Sequence, residues 1–233
     1  MHFDYVKQQL AQVREAVASA ALKSGRKADD VKLLAVSKTF PNEAVIAAYE
    51  AGQRLFGENK VQELELKAPV LPSDIAWHLI GHLQSNKVLK AVTLASSIHS
   101  VDSLRLLQRI DRLAGENNCK PEILLEFNIS GEESKFGASA EKDAMLLAAE
   151  AVKCANLSFR GLMTMAPLEA DEQALRNIFS NLRKLRDLME AEFVVKLPEL
   201  SMGMSGDYAV AVEEGSTLVR IGTAIFGRRN YAV

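Results

Sequence analysis

The chain has 233 residues, 48% of them hydrophobic and 25% charged, which excludes disordered, collagen-like and coiled-coil proteins and fits one large domain or two small ones. Lys and Arg number 28 against 30 Asp and Glu, a formal charge of −2, so no electrostatic footprint points to a nucleic-acid backbone or an anionic membrane. The two cysteines, Cys119 and Cys154, stand in unlike contexts that speak against a disulfide framework, a zinc cluster or a redox pair; with no signal-peptide pattern in MHFDYVKQQL and no apolar stretch near ~20 residues, a cytoplasmic, non-membrane protein is expected.

Phe3, Val6, Leu10, Val13 and Val17 recur at steps of three and four, which predicts an amphipathic helix ending near Ser24 and Gly25. KLLAVSK (32–38) then reads as a strand, and Pro41 to Ala51 as a helix that starts on proline and stops at Gly52. Further strand candidates are LFGEN (55–59), WHLIG (77–81), SIHSVD (97–102), EILLEFN (122–128), RGLMTM (160–165), LSMGMS (200–205) and TLVRIGTAIFG (217–227), with helical patterns such as 103–117, 141–155 and 171–192 between them. Strands alternating with helices predict parallel pairing. Eight such units in a chain near the ~250 residues typical of the fold predict an α/β protein, a (β/α)8 TIM barrel with an extra N-terminal helix. Only RRNYAV follows the last run, so one domain over 1–233 is expected.

In such a barrel, functional residues lie at the carboxyl ends of the strands. The runs end on Lys38, Asn59, His82, Asp102, Asn128, Thr164 with Met165, Ser205 with Gly206, and Gly222 with Thr223. Barrels often hold a phosphate between the loops after strands seven and eight. MSGD (204–207) offers a hydroxyl, a glycine and Asp207 as N-cap for the segment that follows, and RIGTAIFG (220–227) adds Gly222 and Thr223; each glycine alone also suits a tight turn. Lys38 shares parity with Leu34 and Val36, and if that face is inward its amine lies in the barrel mouth, where desolvation would make it a Schiff-base nucleophile. Arg220 shares parity with Gly222. A lysine, a phosphate cradle and an arginine on adjacent strands describe a pocket for pyridoxal phosphate. An arginine facing the ring nitrogen cannot take its proton, which leaves the cofactor a weak electron sink.

VSKT (36–39), FGEN (56–59), WHLIGHLQSNK (77–87), SVDS (100–103), EFNISGEESKFG (126–137), RGLMTMAP (160–167), LSMGMSGDY (200–208) and STLVRIGTAIFG (216–227) together resemble the pyridoxal phosphate homeostasis proteins, the YggS or PROSC family. The resemblance runs through all eight strand runs. It implies a barrel similar to the N-terminal domain of alanine racemase that binds pyridoxal 5'-phosphate and serves vitamin B6 homeostasis without established turnover. It further implies that Lys38 forms the Schiff base, that Ser205, Gly206, Gly222 and Thr223 hold the phosphate, and that Arg220 faces the pyridine nitrogen; Asn59, His82 and Met202 match positions around the ring. Lys60 departs from the FGENY common in the family.

Other signals weigh less. His78 and His82, four apart in an extended run, are ~13 Å apart and too distant to share a metal ion, so no metal is expected and His78 reads as half-buried packing. The methionines at 163, 165, 202 and 204 read as barrel filling. Glu126 reaches inward on the parity of Asn128 or serves structure, Lys135 lies in the loop after strand five as a candidate relay, and both cysteines read as inert. Alternatives are an amino-acid racemase, for which none of the four tyrosines supplies an obvious second base, and a class I aldolase, which leaves Arg220 without a role. The partners expected are the cofactor and apo-enzymes that receive it, with a monomeric state.

Overall fold

The computed structural model describes residues 3–129 and 141–228. Its strands β1 (Lys32–Val36), β2 (Leu55–Glu58), β3 (Ala76–Leu79), β4 (Ser97–Val101), β5 (Glu122–Glu126), β6 (Ser158–Met163), β7 (Glu199–Ser201) and β8 (Leu218–Ile221) run parallel and in chain order. β8 pairs with β1, with Leu34 opposite Arg220, and closes the barrel. Around it lie α2 (Asn42–Glu50), α3 (Val61–Lys67), α4 (Val88–Leu94), α5 (Leu104–Glu116), α6 (Glu141–Lys153), α7 (Glu172–Phe193) and α8 (Tyr208–Glu213). The (β/α)8 barrel read from the alternation is the fold found. The N-terminal helix is also present: α1 (Asp4–Lys23) buries Val6, Leu10, Val13, Val17, Ala20 and Ala21.

The strand runs overshoot the strands at their carboxyl ends. Extended pairing stops at Val36, Ser201 and Ile221, and Thr223–Phe226 forms a short helix, α9, where a continued strand was expected. An apolar run such as AIF has no period that separates strand from helix. In α9 it buries Ile225 and Phe226. The consequence is that Lys38, Asn59, Ser205 and Thr223 stand just beyond the sheet, in or at the start of the segments that line the barrel mouth.

Along each strand the two faces do different work. Ala35, Phe56, Ile98, Leu125, Leu162, Leu200 and Val219 point outward into one apolar cluster with helix residues such as Leu64, Leu107 and Phe179, where each large side chain contributes about 1.5–3 kcal/mol by leaving water. The inner face is partly polar. His78 lies 2.9 Å from His99, His99 lies 3.1 Å from the Ser201 hydroxyl, and Arg220 donates to that hydroxyl at 2.6 Å. His78 is therefore a buried interior residue in a hydrogen-bonded line, not half-buried packing as the sequence suggested. One tautomer set fits the line: Ser201 donates to His99 Nδ1, and His99 Nε2–H donates to His78 Nδ1. Burial lowers His78 to about 4, the Lys32 charge adding to the effect, and holds His99 well below the ordinary range, with His78 and Arg220 adding. Both rings are neutral at pH 7.

β6 and β7 approach through Gly161, opposite Glu199. A Cβ added there would sit 1.8 Å from the Glu199 carbonyl oxygen, a backbone atom that cannot move aside. Gly161→Ala is therefore expected to cost at least about 3 kcal/mol, lowering the thermal midpoint by roughly 6–12 °C in a protein of this size. Thermal melts of the two proteins check this, and equal midpoints would contradict the packing described.

Candidate functional site

A cleft of about 700 Å³ opens at the carboxyl end of the barrel. Lys38, Asn59, His82, Ser205, Gly206, Arg220, Gly222 and Thr223 all line it, so the structure brings together eight residues drawn from five strand ends. Met202 is not among them: it is fully buried in the core cluster, while Met204, two residues on, lines the cleft. A continued pleat would give the two methionines one face; they differ because the chain leaves the sheet after Ser201. Lys135 and Tyr231 lie outside the described residues.

Closure of the barrel sets the distance between the first and last strand ends. A Cβ on Gly222 would stand 3.1 Å from the Val36 carbonyl oxygen, so a side chain at 222 would press on the strand that leads to Lys38. Phe40, beyond Lys38, packs with its ring tilted against Phe226 of α9, 5.3 Å between centroids, and ties the two segments together from the other side. The β7 loop is folded by its own groups. Met204 N–H donates to the Asp207 carboxylate at 2.5 Å, and the N–H groups of Asp207 and Tyr208 return to Met204 O. Asp207 thus occupies the N-cap position of α8 but spends its carboxylate closing the loop, which leaves Ser205 and Gly206 at the tip. Added at Gly206, a Cβ would meet nothing within 4 Å, so this peptide is open for approach. Two glycine-bearing tips with a hydroxyl each are a donor set suited to an anion.

Arg220 forms the floor. It is 4% exposed, and its NH1 donates to Ser201 O at 2.7 Å and to the Ser201 hydroxyl, while NH2 donates to Thr164 O at 2.9 Å. Three of its five N–H donors are fixed to the barrel interior, which orients the rest of the guanidinium toward the cleft it lines. Burial lowers its pKa to about 10, opposed by Glu126 and Asp207, so it remains a cation at neutral pH. Glu126, at the end of β5, also lines the cleft and is 3% exposed. Of the two roles open to it in sequence, the structure selects the inward one. Burial raises its carboxyl to about 7, Asp102 pushes it further up and Arg220 pulls it down. His82 lies at the rim, 3.6 Å from Asp102. Cys154 is not a reactive thiol: burial, then Asp111 and Glu150, raise it to about 11.

The family model for the alanine racemase N-terminal domain matches residues 8–230. A pyridoxal phosphate homeostasis protein of Aquifex aeolicus is 41% identical over 225 residues, 96% of this chain and 98% of that one. The human protein of the same name is 40% identical over 238 residues, 96% and 86% of the two chains. This chain belongs to the pyridoxal phosphate homeostasis protein family. Among solved structures, PipY of Synechococcus elongatus, determined without and with pyridoxal phosphate, matches it with TM-scores of 0.87 and 0.83 at 38% and 37% identity. Each match covers 95% of this chain and 100% of PipY. An alanine racemase of Clostridium difficile shares the fold, with a TM-score of 0.76 at 15% identity over 97% of this chain and 57% of that one.

The Glu126 carboxyl gives a signed prediction for this family member. A carboxyl that ionises at 4.5 when unfolded and at about 7 when folded contributes less to stability as pH rises through that window, because the unfolded chain gives up its proton first. Thermal midpoints of Glu126→Gln and wild type across pH 5–8 should therefore shift in the variant's favour as pH rises. A difference that is constant with pH would show that Glu126 ionises normally.

Proposed function

We propose that this protein binds pyridoxal 5'-phosphate in the cleft, holds it covalently through Lys38, and serves the intracellular supply of vitamin B6. The supporting observation is the placement of one amine, one anion-binding pair of loops and one buried guanidinium around a single cavity large enough for a small cofactor. The residues fit the group. Ser205, Gly206, Gly222 and Thr223 present hydroxyls and open peptides to the phosphate, Arg220 faces the ring nitrogen, and Asn59 and His82 stand beside the ring. The bound cofactor supplies an aldehyde. Lys38 Nζ is the group that would condense with that aldehyde, its neutral form giving up two protons to the departing oxygen as water. Arg220 stays protonated and so cannot accept a proton from the ring, which disfavours strong carbanion chemistry and suits a holder more than a catalyst.

The family membership and the pyridoxal phosphate found in PipY support the same ligand. No helix among the described residues is long and apolar enough to cross a membrane. The recipients we infer are apo-enzymes that need the cofactor, with this protein acting as a monomer.

Purified protein mixed with pyridoxal phosphate and then reduced with borohydride should carry the label on the Lys38 peptide. Lys38→Ala should lose that label yet retain weak, phosphate-competable binding through the two loops. A label on another lysine, or no label, overturns the assignment. Incubation with L- or D-alanine followed by circular dichroism separates holder from racemase: interconversion at enzyme-like rates would favour the racemase reading.

A further inference from the structure

Lys38 sits in a turn that the chain does not adopt freely. Phe40 N–H donates to Ser37 O at 3.1 Å, so residues 37–40 form a four-residue turn with Lys38 second and Thr39 third. Thr39 has φ of +68°. The third position of a turn with positive φ is glycine's place, and a β-branched residue held there is strained. Something must hold the strained peptide, and the groups that touch it are on the outer side of the barrel. Glu63 accepts the Thr39 N–H at 2.6 Å. Lys67, one turn further along α3, donates to Ser37 O at 2.9 Å. The two bonds fall on the peptide groups immediately before and immediately after Lys38.

The remaining contacts fix these two side chains. Lys67 Nζ also donates to Glu58 Oε1 at 2.7 Å and to Glu63 Oε2 at 3.3 Å, which accounts for all three of its protons. Glu58, at the end of β2, is fully buried; its Oε1 takes the Ser37 hydroxyl as well, at 2.7 Å. Its other oxygen, Oε2, is buried without a hydrogen-bond partner. Burial raises this carboxyl to about 7 even against Lys67 and Ser37. A buried ion pair with an orphaned oxygen is a poor way to stabilise a fold, because apolar residues of similar volume usually serve as well or better. It is, however, a stiff one.

We propose that Glu63 and Lys67 of α3, braced by Glu58 of β2, are positioning residues for Lys38: they clamp the strained turn from behind and so aim the lysine amine into the cleft. This rests on the reading of Lys38 as the residue that takes the aldehyde. None of the three side chains lines the cleft, so their effect reaches the ligand only through the backbone of residues 37–39.

The test separates attachment from binding. Glu63→Ala removes the acceptor for Thr39 N–H, and Glu63→Gln keeps a carbonyl oxygen there. The double variant Glu58→Gln, Lys67→Met releases Ser37 O without leaving a lone buried charge. For each, the rate at which pyridoxal phosphate becomes borohydride-fixed to Lys38 is measured, together with calorimetric affinity for pyridoxine phosphate, which has the same ring and phosphate but no aldehyde. Because displacement of a reacting group by about 1 Å costs on the order of a hundredfold, attachment should slow by about tenfold or more in Glu63→Ala and in the double variant. Affinity for pyridoxine phosphate should stay within about threefold, and Glu63→Gln should restore the rate. Unchanged attachment in both disruptive variants overturns the clamp, as does a parallel loss of attachment and analogue affinity, which would mark a merely structural cluster. Either disruptive variant suffices if the other folds poorly. Wild-type protein that never labels at Lys38 refutes the cofactor reading and the clamp with it, whereas wild-type labelling with unaffected variants refutes the clamp alone.

Discussion

The site depends on β8 returning to pair with β1. Arg220 stands opposite Leu34 in that pairing, and Gly222 then meets the Val36 carbonyl as the strand gives way to the turn bearing Lys38. A slip of one residue would turn Arg220 from the barrel interior to the helix layer and Ile221 from the apolar cluster to the polar interior. Both errors carry a large penalty: a buried unpaired guanidinium on one side and an isoleucine against histidines on the other. The apolar outer face and polar inner line therefore set one register between them, and that register makes neighbours of residues far apart in the chain.

The polar line within the barrel has a role besides specifying register. Arg220 is held by two carbonyls and a hydroxyl, and that hydroxyl is held by His99, which is held by His78. Neutral histidines suit this task because they accept and donate without adding a second charge beside the guanidinium. Glu126 is the one carboxyl on the floor whose ionisation changes near neutrality. The charge beneath the cleft is consequently a cation, partly balanced, with the balance rising as Glu126 loses its proton.

Much of the fold could be read from the sequence because it is written locally. The amphipathic spacing of α1 and α5 and the apolar strand runs survive as elements with shifts of a few residues. The strand-end rule pointed to Lys38, Asn59, His82, Ser205, Gly206, Gly222 and Thr223, and parity to Arg220; all eight line one cleft. The failures have physical causes. Met202, placed beside the ring by the resemblance, lies in the core, and nothing local shows where β7 stops; AIF looked like strand because three apolar residues have no period. The cluster of Glu58, Glu63 and Lys67 was invisible for a different reason. Nothing in their spacing sets Glu63 and Lys67 apart from an ordinary solvated i,i+4 pair on a helix, and only the packing of α3 against the ends of β1 and β2 reveals that both are turned onto a strained peptide. A positive φ at Thr39, a residue type that rarely adopts it, leaves no mark in composition or periodicity.

The distribution of acid and base groups bears on the choice between the proposed holding role and turnover of an amino acid. Racemisation needs proton donors on two faces of one carbon. Tyr5 spends its hydroxyl on Phe226 O, and Tyr49 bonds Asp74 on the outside of the barrel; neither lines the cleft. Glu126 is the most strongly perturbed carboxyl there, but its coupling runs to Arg220 and Asp102 on the floor, the ring-nitrogen side in the proposed placement, and not to the far side of a carbon attached at Lys38. Among the described residues that line the cleft, Lys38 is the one amine, and a single amine held by a stiff turn above a cationic floor is what the proposed holding role asks for.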